Sequence, residues 1–123
     1  MTTDLTIGLA HQPGTLAAAC EALGHAGVNI EAACGLVPDG RPELHILVAD
    51  AELASRALID AGFELLARRQ VLALEIENRP GAAATLLRGL ADVGVNIDLV
   101  YTSLDGRLIL GGDDLVALRA AIR

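Results

Sequence analysis

A proline–glycine pair before a helix, with an asparagine at the start of the next strand, is the pattern in this chain most suited to binding a ligand. Pro80-Gly81 precedes a predicted helix, and Asn96 follows that helix after a glycine turn. The first N–H groups of a helix have no partner within it and carry a partial positive charge, so a carboxylate can bind there. Glycine removes the Cβ that would block the approach, and asparagine supplies both a donor and acceptors.

The same pattern occurs earlier in the chain, in the same register. Gln12-Pro13-Gly14 corresponds to Arg79-Pro80-Gly81, and Gly27-Val28-Asn29-Ile30 corresponds to Gly94-Val95-Asn96-Ile97, without a gap. Between the two motifs lies an apolar stripe at helical spacing, formed by Leu16, Ala19, Cys20, Leu23 and Ala26 in one case and by Ala83, Leu86, Leu87, Leu90 and Val93 in the other. We interpret the chain as two copies of one unit, residues 1–69 and 70–123.

The first copy is predicted to contain the elements β-α-β-β-α-β. Leu5, Ile7 and Leu9 alternate as in a strand with one buried face. A helix at 15–26, a strand at 29–37, a turn cluster at 38–42 and a strand at 43–49 follow. Asp50 is positioned to cap a helix at 51–61, and a fourth strand is predicted at 63–69.

The second copy follows with almost no linker and lacks a fourth strand of its own. We predict strands at 71–77, 96–104 and 107–110 and helices at 82–93 and 114–122. This is the split βαβ, ferredoxin-like plan, whose helices cover one side of the sheet. The other side is predicted to carry the apolar residues Ala33, Leu47, Ala73, Val100 and Ile109 among the polar residues Glu31, His45, Glu75 and Asp98. A half-apolar face and an unpaired strand edge favour assembly, so we expect a homodimer.

Composition excludes several classes of function. A net charge of −7 argues against nucleic-acid binding, and the aromatic residues that would stack on bases are limited to Phe63 and Tyr101. No segment approaches the roughly 20 apolar residues of a membrane span. The first residues do not resemble a signal peptide, so we expect a cytoplasmic protein in which Cys20 and Cys34 are free thiols.

No residue pattern indicates catalysis, a metal or a cofactor. The histidines His11, His25 and His45 have no metal-binding spacing with one another or with the cysteines. We find no nucleophile–base pair and no carboxylate dyad with recognisable spacing. The sequence therefore favours a protein that is not an enzyme and has no cofactor.

Taken together, the Pro-Gly turn, the Gly-Val-Asn-Ile motif and the βαββαβ frame resemble the ACT domain. Two copies in one short chain are similar to the small stand-alone tandem ACT proteins. The resemblance covers nearly the whole chain and weakens after Arg107, where the last strand of the second copy is missing. It implies a regulatory module that binds small molecules, mostly amino acids, at the interface between two such domains.

The resemblance also implies which residues would bind the ligand. They are the turn before each helix and the start of the following strand, which correspond here to His11, Gln12, Pro13, Gly14, Thr15, Asn29 and Ile30 in the first copy and to Asn78, Arg79, Pro80, Gly81, Ala82, Asn96 and Ile97 in the second. Asp98 or Glu31 could face the ammonium group of an amino acid.

Each of these features also has a purely structural interpretation. Pro-Gly often precedes a helix in proteins that bind no ligand there. Asn29 and Asn96 can make local hydrogen bonds at a helix–strand turn, and the side chain of Arg79 can be exposed to solvent. The alternative function is therefore an assembly or interaction protein whose ligand pockets have degenerated.

Overall fold

The structure, a computed structural model, describes residues 2–122 and divides the chain into two compact units. The first comprises Thr2–Arg69 and the second begins at Gln70. Residues 2–122 contain six strands and four helices, and the strand pairs with a described register are antiparallel. The predicted α+β class is confirmed. None of the helices within 2–122 is long and apolar enough to cross a membrane.

In the first unit the helices pack on one side of a sheet. The elements are β1 (Thr2–Gly8), α1 (Thr15–His25), β2 (Ala32–Leu36), β3 (Glu43–Val48), α2 (Ala51–Asp60) and the beginning of β4 (Glu64–Leu74), with the strand order β2-β3-β1-β4. Because side chains alternate across a strand, Leu5 and Ile7 of β1 point to the same side, where they join Leu23 of α1 and Leu58 of α2 in a fully buried core. The predicted cap of α2 is confirmed, since the N–H of Leu53 donates to Oδ1 of Asp50 at 3.0 Å.

The second unit has a smaller core. It contains the end of β4, α3 (Ala82–Asp92), β5 (Ile97–Thr102), β6 (Leu108–Gly112) and α4 (Leu115–Ile122), with the strand order β4-β6-β5. Its buried core consists of Leu90, Leu108, Leu110 and Leu118, one residue from each helix and two from the central strand.

The strand β4 differs from the prediction because it is continuous. The sequence predicted separate strands at 63–69 and 71–77, whereas one strand of 11 residues spans Glu64–Leu74. The polar segment Arg68-Arg69-Gln70 does not interrupt it, because Arg68 and Gln70 are exposed on one side of the strand, and no glycine or proline intervenes.

Two residues lie on the other side of the sheet from the one predicted. Ala33 pairs with Ile46 and Val100 pairs with Leu110, so both face the helices rather than the opposite side. β2 begins at Ala32 rather than at residue 29, and the register of β5 shifts between Ile97 and Leu99. The later start of β2 and the register shift of β5 each displace the following side chains by one residue. A displacement of one residue moves a side chain to the opposite face of the sheet, which is why Ala33 and Val100 face the helices.

Candidate ligand-binding site

The turn from β1 into α1 has a backbone conformation that requires glycine. Gly14 has φ 95° and ψ −16°, in the left-handed region. The hydroxyl of Thr15 donates to the carbonyl oxygens of Ala10 at 2.7 Å and Gln12 at 3.1 Å, which holds the turn closed. A Cβ placed on Gly14 would meet no heavy atom within 4 Å, so the glycine serves the backbone conformation rather than a close approach.

The turn into α3 has the same backbone conformation. Gly81 has φ 85° and ψ −8°, and the hydroxyl of Thr85 donates to its carbonyl oxygen at 3.1 Å. Arg79 donates from Nε to the carboxylate of Glu77, and both side chains are largely exposed. The guanidinium at this turn is therefore already paired with a neighbouring carboxylate.

The helices that follow these two turns lack a side-chain cap. Neither α1 nor α3 has a side-chain acceptor at its start, whereas Asp50 caps α2, and Oδ1 of Asp114 accepts the N–H of Ala117 at 3.1 Å at the start of α4. The first N–H groups of α1 and α3 are thus without the carboxylate partner that α2 and α4 have. Such groups favour a negatively charged partner.

A large cavity adjoins the first of these turns, within the first unit. Its volume is about 790 Å³, and its lining is mostly apolar. The polar members are His11, Gln12, Thr15 and Glu43, and the remaining lining residues are Leu9, Ala10, Pro13, Leu16, Cys20, Ile30, Ala33, Gly35, Leu36, Val37, Pro42, Leu44 and Ile46. Leu16, Leu36 and Val37 remain 52%, 42% and 49% exposed, so large apolar side chains of this cavity are open to solvent.

A second cavity shares the turn and is more polar. It has a volume of about 720 Å³ and, like the first, is lined by His11, Thr15 and Glu43. Its remaining charged lining residues are Arg41 and Glu64. The turn at 11–15 therefore borders an apolar space and a polar one, which suits a ligand with one apolar and one polar part.

The structure separates the two residues predicted at the start of the second strand. Ile30 lines the apolar cavity, but Asn29 is exposed and lies in a different depression of about 200 Å³, together with Glu31 and Asp50. Residues 29 and 30 precede β2, and adjacent side chains of an extended segment point to opposite sides.

In the second unit the predicted asparagine is engaged by the fold. Nδ2 of Asn96 donates to Oδ2 of Asp113 at 2.6 Å, and the main-chain carbonyl oxygen of Asn96 accepts the backbone N–H of Asp113 at 3.4 Å. Ile97 packs against the second core, and Ala82 is only 8% exposed. The largest depression described in this unit, of about 750 Å³, is lined by residues of α3 alone and includes neither the turn at 78–82 nor Asn96.

A buried polar cluster in the first unit was not anticipated from the sequence. The carboxylate of Asp4 is fully buried and lies within hydrogen-bond distance of Nδ1 of His45 and Oγ1 of Thr6. The hydrogen bond to Asp4 is the largest influence on His45 and raises the pKa of its imidazole above the usual value. In the sequence, Asp4 and Thr6 alternate with Leu5 and Ile7, which places the two polar residues on one face of the strand. The alternation alone does not show whether that polar face is buried or exposed to solvent.

Neither a metal site nor a disulfide is present among residues 2–122. No group of three or more His, Cys, Asp or Glu side chains there could hold a metal ion. Cys20 and Cys34 are free thiols, as expected.

The fold is similar to that of solved regulatory proteins. No protein-family model and no curated protein sequence matches this chain. A protein from Bacteroides thetaiotaomicron is 24% identical with a TM-score of 0.88, the alignment covering 98% of this chain and 85% of that one. The ligand-free regulatory subunit of aspartate kinase from Thermus thermophilus is 25% identical with a TM-score of 0.70, over 98% and 89% of the two chains.

The regulatory subunit of aspartate kinase from Thermus flavus is 21% identical with a TM-score of 0.64, over 99% of this chain and 93% of that chain. These matches support an ACT-like fold for the chain, in agreement with the resemblance in its sequence.

Proposed function

We propose that this protein is a non-catalytic regulatory protein that binds a small molecule, an amino acid, through ACT-type domains. The observation that carries the proposal is the turn at 11–15, where an uncapped helix start lies beside a cavity of about 790 Å³. The helix start suits a carboxylate and the cavity suits a side chain. The fold shared with aspartate kinase regulatory subunits supports the proposal.

The two units are, in this proposal, two copies of the ACT domain. Both have a strand, a helix, two paired strands and a helix in the same order. Both first helices follow a glycine with left-handed backbone, Gly14 and Gly81. Pairings within the sheets also correspond, since Gly35 pairs with Leu44 as Thr102 pairs with Leu108.

The ligand would contact the first unit through the turn residues His11 to Thr15. Its carboxylate would accept from the first N–H groups of α1, and its side chain would extend along Ile30 into the cavity. Glu43, which lines the same cavity, would face the ammonium group. We leave the second turn, at 78–82, outside the proposed site, because Arg79 pairs with Glu77 and Asn96 with Asp113.

A second candidate function, assembly without a ligand, is favoured by a different observation. β2 forms an edge of the sheet of the first unit, and Leu36 and Val37 at its end are 42% and 49% exposed. Such an edge can pair with another chain. We propose that a second copy of this chain packs there, giving a homodimer. Leu36 and Val37 also line the cavity of the proposed ligand site, so the decisive question is whether an amino acid binds.

A melting-temperature screen against the twenty common amino acids tests the proposal. A ligand at 100 times its dissociation constant stabilises the folded state by about 2.7 kcal/mol, which gives a measurable shift. We expect at least one amino acid to produce a saturable shift that calorimetry reproduces. If none binds at about 10 mM, a concentration above the range expected for so small a ligand, assembly without a ligand becomes the better proposal.

A further inference from the structure

At three positions that line the cavity of the first unit, the second unit has larger side chains. Ala33 and Gly35 line the cavity from β2, and the corresponding positions of β5 are Val100 and Thr102. The correspondence is structural as well as sequential, because Ala33 and Val100 both pair with a core residue of the central strand on the helix-covered side.

The helices show the same difference. Cys20 of α1 lines the cavity, and the residue at the same position of α3 is Leu87, which packs against the core of the second unit. Each of the three positions therefore carries fewer side-chain atoms in the first unit. These positions border solvent, since Val100 is 53% exposed, and three small side chains around one open space leave room for another molecule.

The polar groups of the cavity are concentrated at one end. His11, Gln12 and Thr15 belong to the turn, and Glu43 begins β3, whereas Cys20, Ala33 and Gly35 line the space with little polar surface. A ligand with a charged or strongly polar side chain would lose its hydration there without gaining a partner. An aliphatic or aromatic side chain would instead bury apolar surface.

From these observations we infer that the first unit alone binds ligand, and that the ligand is an amino acid with a large apolar side chain, of the leucine, isoleucine or phenylalanine class. The inference rests on the proposed function and specifies both the ligand class and the unit that holds it. The side chain occupies the space beside Cys20, Ala33 and Gly35, and the carboxylate lies at the start of α1.

Calorimetry with leucine, phenylalanine, alanine, serine and aspartate tests the ligand class. Each buried methylene changes affinity about fourfold, so leucine should bind roughly 50-fold more tightly than alanine, which lacks three of its carbons. Serine and aspartate should bind no better than alanine. A serine or aspartate affinity equal to that of leucine would overturn the inference, while the proposed amino-acid-binding function would stand.

The alkylation rates of the two cysteines test where the ligand binds, without any substitution in the protein. Cys20 lines the cavity, whereas Cys34 lies between Ala33 and Gly35 on β2 and therefore points to the other side of the sheet. Saturating leucine should slow the alkylation of Cys20 by iodoacetamide at least about fivefold and leave Cys34 unchanged. Leucine binding without protection of Cys20 would place the ligand elsewhere and overturn the inference.

Substitution with the residues of the second unit tests the cavity directly. The double variant Ala33→Val, Gly35→Thr places β-branched residues in a strand, where they are favoured, and a Cβ at Gly35 meets no atom within 4 Å. We expect this variant to fold and to bind leucine at least about tenfold more weakly. Thr102→Val, at the matched position of the second unit, should leave leucine binding unchanged.

The outcomes separate the inference from the proposed function. If the folded double variant binds leucine as tightly as the parent, or if Thr102→Val is the variant that loses binding, the assignment to the first unit is wrong. If the double variant does not fold, the alkylation experiment on the parent protein decides the location. If no amino acid binds at all, the proposed function fails, and the inference that rests on it fails too.

Discussion

Nδ1 of His45 lies 3.1 Å from Oδ1 of Asp4, a carboxylate whose side chain is completely buried. The hydroxyl of Thr6 donates to the same oxygen at 3.2 Å. A buried carboxylate is costly unless it is hydrogen-bonded and paired, so the protonated imidazole stabilises the folded state here. His45 is 14% exposed, which allows it to exchange its proton with solvent.

We predict that the stability of the protein falls as pH rises through the neutral range. The hydrogen bond to Asp4 raises the pKa of His45 above 6.5, and Glu43 contributes in the same direction, while burial and Arg69 act against it. Because the folded state holds this proton more tightly than the unfolded state, the stabilisation is complete below pH 6.5 and is lost as pH rises through the raised pKa. Urea unfolding between about pH 6 and pH 9 measures the effect.

Removing the histidine should remove most of this dependence. His45→Gln keeps a donor but loses the charge, so we expect about 1–3 kcal/mol less stability at low pH and a flatter profile. His11→Gln, at an exposed turn position, is the control and should leave the profile unchanged. An equally steep decline in His45→Gln would show that another group causes it.

Glycine-to-alanine substitutions at two positions of the α1 segment should have opposite effects. Gly14 has φ 95°, so alanine there should cost about 1–2 kcal/mol, and asparagine should cost less. Gly24 lies inside α1 with open space around its Cβ position, so alanine there should stabilise the protein by up to about 1 kcal/mol. Chemical denaturation measures the change in the free energy of unfolding for each variant. If Gly24→Ala destabilised the protein as much as Gly14→Ala, the left-handed backbone of Gly14 would not be the cause.

Asn96 and Asp113 should be coupled in their contribution to stability. Their side chains are 2.6 Å apart, so Asn96→Ala and Asp113→Ala should each cost about 1 kcal/mol, and the double variant should cost less than the sum. Asn29→Ala is the matched control at the corresponding exposed position of the first unit and should change stability by less than about 0.5 kcal/mol. If the losses of stability in the two single variants added up to the loss in the double variant, the hydrogen bond between Asn96 and Asp113 would contribute nothing to stability.

We predict a homodimer with a buried interface above about 1,000 Å². Leu36, which is 42% exposed at the end of β2, should belong to the interface, so Leu36→Glu should shift the protein toward monomer in sedimentation velocity experiments. Leu104→Glu adds the same charge at a position that is 86% exposed in the second unit and should not change the assembly. A parent protein that is monomeric at micromolar concentrations would exclude the dimer.

The sequence by itself determined the four helices and the two turns, because the signals for these are local. Periodic apolar residues placed every helix to within a residue or two, and Asp50 was recognised as a cap from its position alone. Pro-Gly before an apolar stripe placed a turn at Gly14 and at Gly81, but only the structure showed that both glycines are left-handed. Interactions between residues close in the chain depend little on the rest of the fold, so a pattern over a few residues predicts them.

Only the tertiary structure decided which residues distant in the sequence contact each other or line the same cavity. The positions of Ala33 and Val100 depend on where β2 begins and on a register shift in β5, which the partner strands impose. Asn96 is 17 residues from Asp113, and His45 is 41 residues from Asp4. The apolar cavity arises because Cys20 and Gly35, small residues on different elements, lie around one volume, and only the packing of a helix on a sheet brings them together.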